Sequence, residues 1–315
     1  MQVAEKERMP RLSLGEERNM VTQLLLLNIT VFILLFFIKI IYQMENTGLA
    51  AFERDIMANT QFPADPKVLL TKPWTPLTAM FAHTGFWDVF SNLVWLFCFG
   101  SILQNIGGFR LIVPVYLFGG LSGMAFFMAG INLVPGLRVY IPSGSIIGAG
   151  AGVMAMAVGV TTLAPRHRVF PLLLKGGIPV WVLSVVFLAL HITSLATSDR
   201  YPSIAGSLFL LGGAFMGFMF IAQYKKGRNW GAPVNKVIFN AGHIFHPKEQ
   251  KEILKEEYLE PSKPTATTPF QKVGTVPEHK LNELLDKIND QGLQSLTPEE
   301  RETLLRASKE NGEDY

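Results

Sequence analysis

The chain has 315 residues, of which 49% are hydrophobic and 17% charged, with a net charge of +3. Ordinary soluble domains carry about a quarter charged residues. This profile excludes a disordered chain and a nucleic-acid-binding protein, and the lone Cys98 excludes a disulfide-built secreted domain.

Charge is also unevenly spread. Residues 1–224 hold 14 Lys/Arg and 10 Asp/Glu, whereas the 91 residues from Lys225 onward hold 14 and 15. The chain therefore reads as an all-α polytopic membrane protein with a polar tail. Residues 1–19 form a mixed-charge N-terminal segment. Six runs then approach the roughly 20 apolar residues that a helix needs to span a hydrocarbon core. They are Val21–Tyr42, Trp87–Ile106, Leu111–Ile131, Ser145–Ala164, Ile178–Leu195 and Ile204–Tyr224. The first is too long for a signal peptide and lacks a cleavage site, so it is expected to stay as an anchor.

The connection between the first two spans is long. Within it Gly48–Ala58 suits a short amphipathic helix, and Pro73 and Trp74 lead into an apolar stretch; a plain exposed loop with a Trp anchor is the other reading. Lys and Arg set the orientation. With the N-terminus inside, the inner segments carry eleven of them (Lys6, Arg8, Arg11, Arg18, Arg110, Arg166, Arg168, Lys175, Lys225, Lys226 and Arg228). The outer loops carry five: Arg54, Lys67, Lys72, Arg138 and Arg200. Both termini are thus expected in the cytoplasm, and the localisation is an inner (cytoplasmic) membrane.

Glycines recur at four-residue spacing, as Gly119 and Gly123, Gly148 and Gly152, and Gly213 and Gly217. Such small faces let helix backbones approach closely. The fourth span, with Gly148-Ala149-Gly150-Ala151-Gly152, is expected at the centre of the bundle; a backbone-lined cavity is the alternative. Intramembrane polar groups are few. Asp88 suits a helix N-terminus, and His191 stands near the outer end of the fifth span.

Several stretches carry a resemblance to a known family. Lys72-Pro73-Trp74-Thr75-Pro76-Leu77-Thr78-Ala79-Met80-Phe81-Ala82-His83, Gly148-Ala149-Gly150-Ala151-Gly152-Val153-Met154-Ala155, Thr162-Leu163-Ala164-Pro165 and Leu211-Gly212-Gly213-Ala214-Phe215-Met216-Gly217 resemble motifs of the rhomboid intramembrane serine proteases, in the form common in Bacteroidota. The resemblance implies a six-helix rhomboid-like bundle over residues 20–230. Family members cut peptide bonds with a Ser–His dyad, aided by a His and an Asn at the oxyanion. A hydroxyl needs an adjacent base to attack a carbonyl, and the oxyanion needs preorganised donors.

By this resemblance the nucleophile position is Gly150, the base position Leu210 and the oxyanion histidine position Asp88, with Asn92 alone retained. Glycine and leucine cannot attack a carbonyl or move a proton. The expectation is therefore a pseudoprotease that binds transmembrane segments of client proteins. The alternative is an active endopeptidase with relocated residues, Ser145 or Ser143 with His191. No cofactor, metal or nucleic-acid partner is expected; the lipid bilayer is. The tail divides into a connector and linker over residues 231–277 and a cytoplasmic helical hairpin over residues 278–311. Its second helix starts at Thr297-Pro298-Glu299-Glu300, an N-cap with a capping-box Glu.

Overall fold

The computed structural model describes residues 19–45, 48–169, 177–196 and 203–242, together with Leu284, residues 286–288, Thr297 and Glu300. The N-terminal segment, His243 and His246, and most of the linker and hairpin lie outside the described residues.

Each of the six apolar runs contains a helix. They are α1 (Met20–Met44), α5 (Phe86–Gly107), α6 (Ile112–Leu133), α7 (Gly150–Leu163), α8 (Val180–Ala196) and α9 (Ser203–Lys225). Among the described residues four segments are long and apolar enough to cross a membrane: α1, α5, α9 and Phe109–Leu133, which is α6 with the 3-10 turn before it. The helices α7 and α8 are equally apolar but have only 14 and 17 residues. At 1.5 Å per residue, α7 is about 21 Å long, short of a hydrocarbon core of about 30 Å.

The start of the fourth span departs from the sequence expectation. Ser145 and Ile146 are not helical; they form β2, paired antiparallel with β1 (Phe62–Pro63). The long first connection is correspondingly a built element rather than a plain loop. It holds α2 (Gly48–Asp55), a 3-10 turn at Met57–Asn59, α3 (Pro66–Thr71) and α4 (Thr75–Phe81). Asp65 caps α3 by accepting the Lys67 N–H at 2.8 Å, with Pro66 at the first helical position. Trp74 Nε1 donates to the Asn59 carbonyl at 2.9 Å, and the Thr78 hydroxyl donates to the Thr60 carbonyl at 2.8 Å. These bonds fold the connection onto itself and hold its ladder to β2.

The core forms where glycines remove side chains. A Cβ at Gly119 would overlap Ala155, and one at Gly123 would overlap Ala151, so α6 and α7 run antiparallel in close contact. A Cβ at Gly213 would overlap the backbone of Ala151, and one at Gly217 that of Ala155. The helices α7 and α9 therefore run parallel, their backbones touching over a full turn. All residues from Gly150 to Ala157 are buried, with α5, α6, α8 and α9 packed around them. The glycine-rich helix is the centre of the bundle, as its composition predicts. Gly148 lies before the helix; its φ of 112° is a conformation that glycine adopts without strain.

Outward, α1 presents Leu26, Leu27, Ile33, Leu34, Phe36 and Phe37 exposed. An apolar face of this extent fits lipid, not water. After α9, α10 (Ala232–Gly242) packs back on the bundle. Phe239 is buried, and Asn235 Nδ2 donates to the Arg110 carbonyl at 3.0 Å. Two two-residue strands, β3 (Arg168–Val169) and β4 (Ile178–Pro179), pair across the residues that precede α8.

The chain divides into two compact units, residues 1–264 and 265–315. Within the second, Thr297 and Glu300 form the reciprocal capping box expected from sequence. The Thr297 N–H donates to Glu300 Oε2 at 2.8 Å, and the Glu300 N–H donates to Thr297 Oγ1 at 3.3 Å. Lys287 Nζ donates to the same carboxylate at 2.8 Å. That bond, followed by the one from Thr297, pulls the Glu300 carboxyl down to about 2.

Candidate functional site

The candidate site is the start of α7. Three contacts fix it from outside the helix. The Gly148 N–H donates to the Ala79 carbonyl at 2.8 Å, tying the turn before α7 to α4. The Ala149 N–H donates to His83 Nε2 at 3.4 Å, and His83 Nδ1 then donates to the Phe81 carbonyl at 3.3 Å. These two bonds require the neutral imidazole with its proton on Nδ1. His83 is only 4% exposed, and burial pushes its pKa down to about 4, so it stays neutral near pH 7. His83 stands at the end of the first motif, yet sequence reasoning gave it no role. Its place as the last residue of that motif was the available signal.

The third contact is at Gly150. A side chain there would collide with the imidazole of His191, whose Nε2 lies within overlap distance of where the Cβ would stand. His191 comes from α8 and stacks on Phe187, with ring centroids 5.2 Å apart. Phe187 in turn meets Trp95 at 5.5 Å and Phe99 at 5.9 Å, both on α5. The structure therefore brings together two residues that sequence reading singled out for separate reasons, Gly150 and His191. Glycine at 150 is what admits the ring.

The remaining positions lie elsewhere or face away. Leu210 is buried in α9 at 1% exposure. The pairing of Gly213 with Ala151 and Gly217 with Ala155 in parallel helices puts Leu210 level with Gly148. Asp88 is exposed in the first turn of α5, and its carboxylate turns back toward Gly85 at the helix start. Asn92 is buried one turn on. Its Nδ2 donates to the Asp88 carbonyl at 2.9 Å, while its Oδ1 is buried with no hydrogen-bond partner. Ser145 is buried in β2, and Ser143 is exposed in the preceding turn. Neither hydroxyl hydrogen-bonds to His191. Among the described residues no group of three His, Cys, Asp or Glu side chains could hold a metal ion.

Chemically, this start of α7 offers imidazoles, and among the described residues no hydroxyl or thiol is hydrogen-bonded to His191. It is a closed packing arrangement in which a histidine ring fills a glycine notch.

Comparison with known proteins agrees with the motifs. Residues 70–224 match the Rhomboid domain, which spans α4 to α9 and encloses the site. Residues 275–310 match a family of unknown function, DUF6576. The chain is 27% identical over 165 residues to Rhomboid-like protein 16, chloroplastic, of Arabidopsis thaliana; the match covers 49% of this chain and 50% of that protein. The chain thus spans about half the length of the curated relative it matches. Residues 70–224 therefore carry a rhomboid domain, and with four described segments long and apolar enough to cross a membrane the chain is similar to rhomboid-like membrane proteins.

Proposed function

We propose that this protein is a rhomboid-like pseudoprotease that binds transmembrane segments of partner proteins. The observation that carries the reading is the His191 ring standing where a side chain at position 150 would be. By the resemblance, position 150 is that of the nucleophile; here it has no side chain, and one added there would have to displace the His191 ring. Leu210 supplies no base, and the exposed carboxylate of Asp88 would repel an oxyanion rather than donate to it.

The scaffold around that site is complete, which favours a binding role over loss of fold. A client helix would enter between α5 and α8. These helices meet through the rings of Trp95, Phe99 and Phe187, which a rotamer change can part. In this reading all six apolar helices are embedded and both termini face the cytoplasm. Arg110, Arg166, Arg168, Lys225, Lys226 and Arg228 follow or precede helix ends that share one side of the bundle, which supports that orientation. Residues 278–311 are then a cytoplasmic module.

The test combines chemistry and capture. The purified chain is expected to stay unlabelled by a serine-reactive fluorophosphonate, and a benzophenone amino acid at Trp95 should crosslink single-span proteins in native membranes. Labelling that disappears in Ser145→Ala would establish the relocated endopeptidase instead.

A further inference from the structure

The ends of three helices meet at one end of the bundle. A Cβ at Gly107, the last residue of α5, would press on Leu163, the last residue of α7. Lys225, the last residue of α9, donates through Nζ to the Thr162 carbonyl of α7. The helix α10 lies at the same end: a Cβ at Gly231, just before it, would meet Pro114 of α6 and Phe220 of α9, and Asn235 holds the Arg110 carbonyl. Exposed cations gather here. Arg166 and Arg168 follow α7, Lys226 and Arg228 follow α9, and Lys236 stands on α10. No described residue of the bundle at this end is acidic. The sequence from Val89 to Gly242 holds one Asp or Glu, Asp199, which falls between α8 and α9.

Apolar side chains are interleaved with these charges. In α10, Asn235 and Phe239 are buried one turn apart, whereas Lys236 and Val237 are exposed, Val237 at 68%. Trp230, between Arg228 and α10, is also exposed. The helices α5 and α9, both long and apolar enough to cross a membrane, end at this level, where a Trp and a cation suit the membrane–water boundary. A soluble acidic partner would match the charges but not the Val237 and Trp230 side chains. A zwitterionic head would bring an ammonium that meets no carboxylate among the described residues here. An anionic phospholipid matches both the cations and the apolar groups.

We propose that this end of the bundle binds anionic phospholipid headgroups of the surrounding leaflet. Arg166, Arg168, Lys226, Arg228 and Lys236 receive the phosphates, and α10 rests on the leaflet surface with Trp230 and Val237 in contact with it. The lipid then fixes α10 against the start of α6 and the end of α9. This binding rests on the embedding of α5 and α9 and not on the loss of peptidase chemistry.

The test is native mass spectrometry of the delipidated full chain, titrated separately with dioleoylphosphatidylglycerol, dioleoylphosphatidylcholine, inorganic phosphate and poly-glutamate. Phosphatidylglycerol is expected to bind more tightly than phosphatidylcholine. Lys226→Gln combined with Lys236→Gln, which alters only exposed side chains, should weaken phosphatidylglycerol about thirtyfold, roughly fivefold for each charge. Lys226→Arg with Lys236→Arg should retain the parent affinity. Arg54→Gln with Lys67→Gln, which removes two exposed cations from the first connection, should leave it unchanged. The proposal is overturned if the Gln double variant at 226 and 236 binds the lipid as tightly as the parent chain, or if phosphatidylcholine binds as tightly as phosphatidylglycerol. Displacement of the lipid by inorganic phosphate would mark a site for a free anion, and tighter binding of poly-glutamate a surface for an acidic protein; either result would also overturn it. Fluorophosphonate labelling is independent of all four titrations, so lipid binding and the pseudoprotease reading fail separately.

Discussion

The notch at Gly150 makes a quantitative prediction about paired substitutions. Gly150→Ala adds one methyl group at a point the His191 ring already fills. Making room means turning the ring out of its stack with Phe187, which Trp95 and Phe99 touch in turn. Overpacking of such a position costs about 1–3 kcal/mol. A loss of about 2 kcal/mol corresponds to roughly 4–8 °C in the unfolding midpoint of a domain this size. His191→Ala removes the ring and should cost a comparable amount through the cavity it leaves. The double variant should then be no less stable than His191→Ala alone, because the new methyl enters vacated space. The coupling between the two sites is therefore about 2 kcal/mol in the stabilising direction. Thermal unfolding of the four chains in one detergent, followed by tryptophan fluorescence, measures it. Additive losses in the double variant would show that the ring does not occupy the notch, and the main support for the proposed function would fall with it.

Two further outcomes follow from the same geometry. Gly213→Ala places a Cβ against the Ala151 backbone, which has no flexible atom to yield, so a loss near 3 kcal/mol is expected in the same unfolding assay. Gly136→Ala, with open space around it, should be neutral. His83 stays neutral in the fold down to about pH 4, whereas an unfolded histidine takes up a proton near pH 6.5. Its burial therefore costs nothing above pH 6.5 and destabilises the fold progressively between pH 6.5 and 4, by about 2 kcal/mol at pH 5. Midpoints measured from pH 7.5 to 5 should fall less steeply in His83→Gln than in the parent; equal slopes would show that His83 is not the group responsible.

The six apolar runs were legible because hydropathy and length are properties of contiguous sequence. The centrality of α7 was legible too, since a run of Gly and Ala is too slim for any place except between close neighbours. The start of α7 was misread by five residues. Ser145 and Ile146 pair with Pro63 and Phe62, and no local periodicity announces a partner so far away. Within the first connection, Asp65-Pro66 and Thr75-Pro76 mark the starts of α3 and α4, but helices of six and seven residues carry too few apolar positions to show a period. At the site, Gly150 and His191 each stood out in sequence, yet their contact depends on how α8 leans on α7. In the tail, by contrast, the Thr297–Glu300 box was readable because capping is confined to four consecutive residues.

The two-residue ladder between β1 and β2 also constrains how the molecule is made. Phe62 leaves the ribosome 84 positions ahead of its partner Ile146. The strand β1 cannot pair until α5, α6 and the turn before α7 have been synthesised and threaded into the bilayer. Closing so large a loop has an entropic cost that local contacts must first offset. During synthesis β1 therefore waits unpaired, and the last step of assembly at that end is its docking onto the turn before α7. A nascent chain halted before Gly144 should leave this segment open to protease, and one halted well beyond α7 should not.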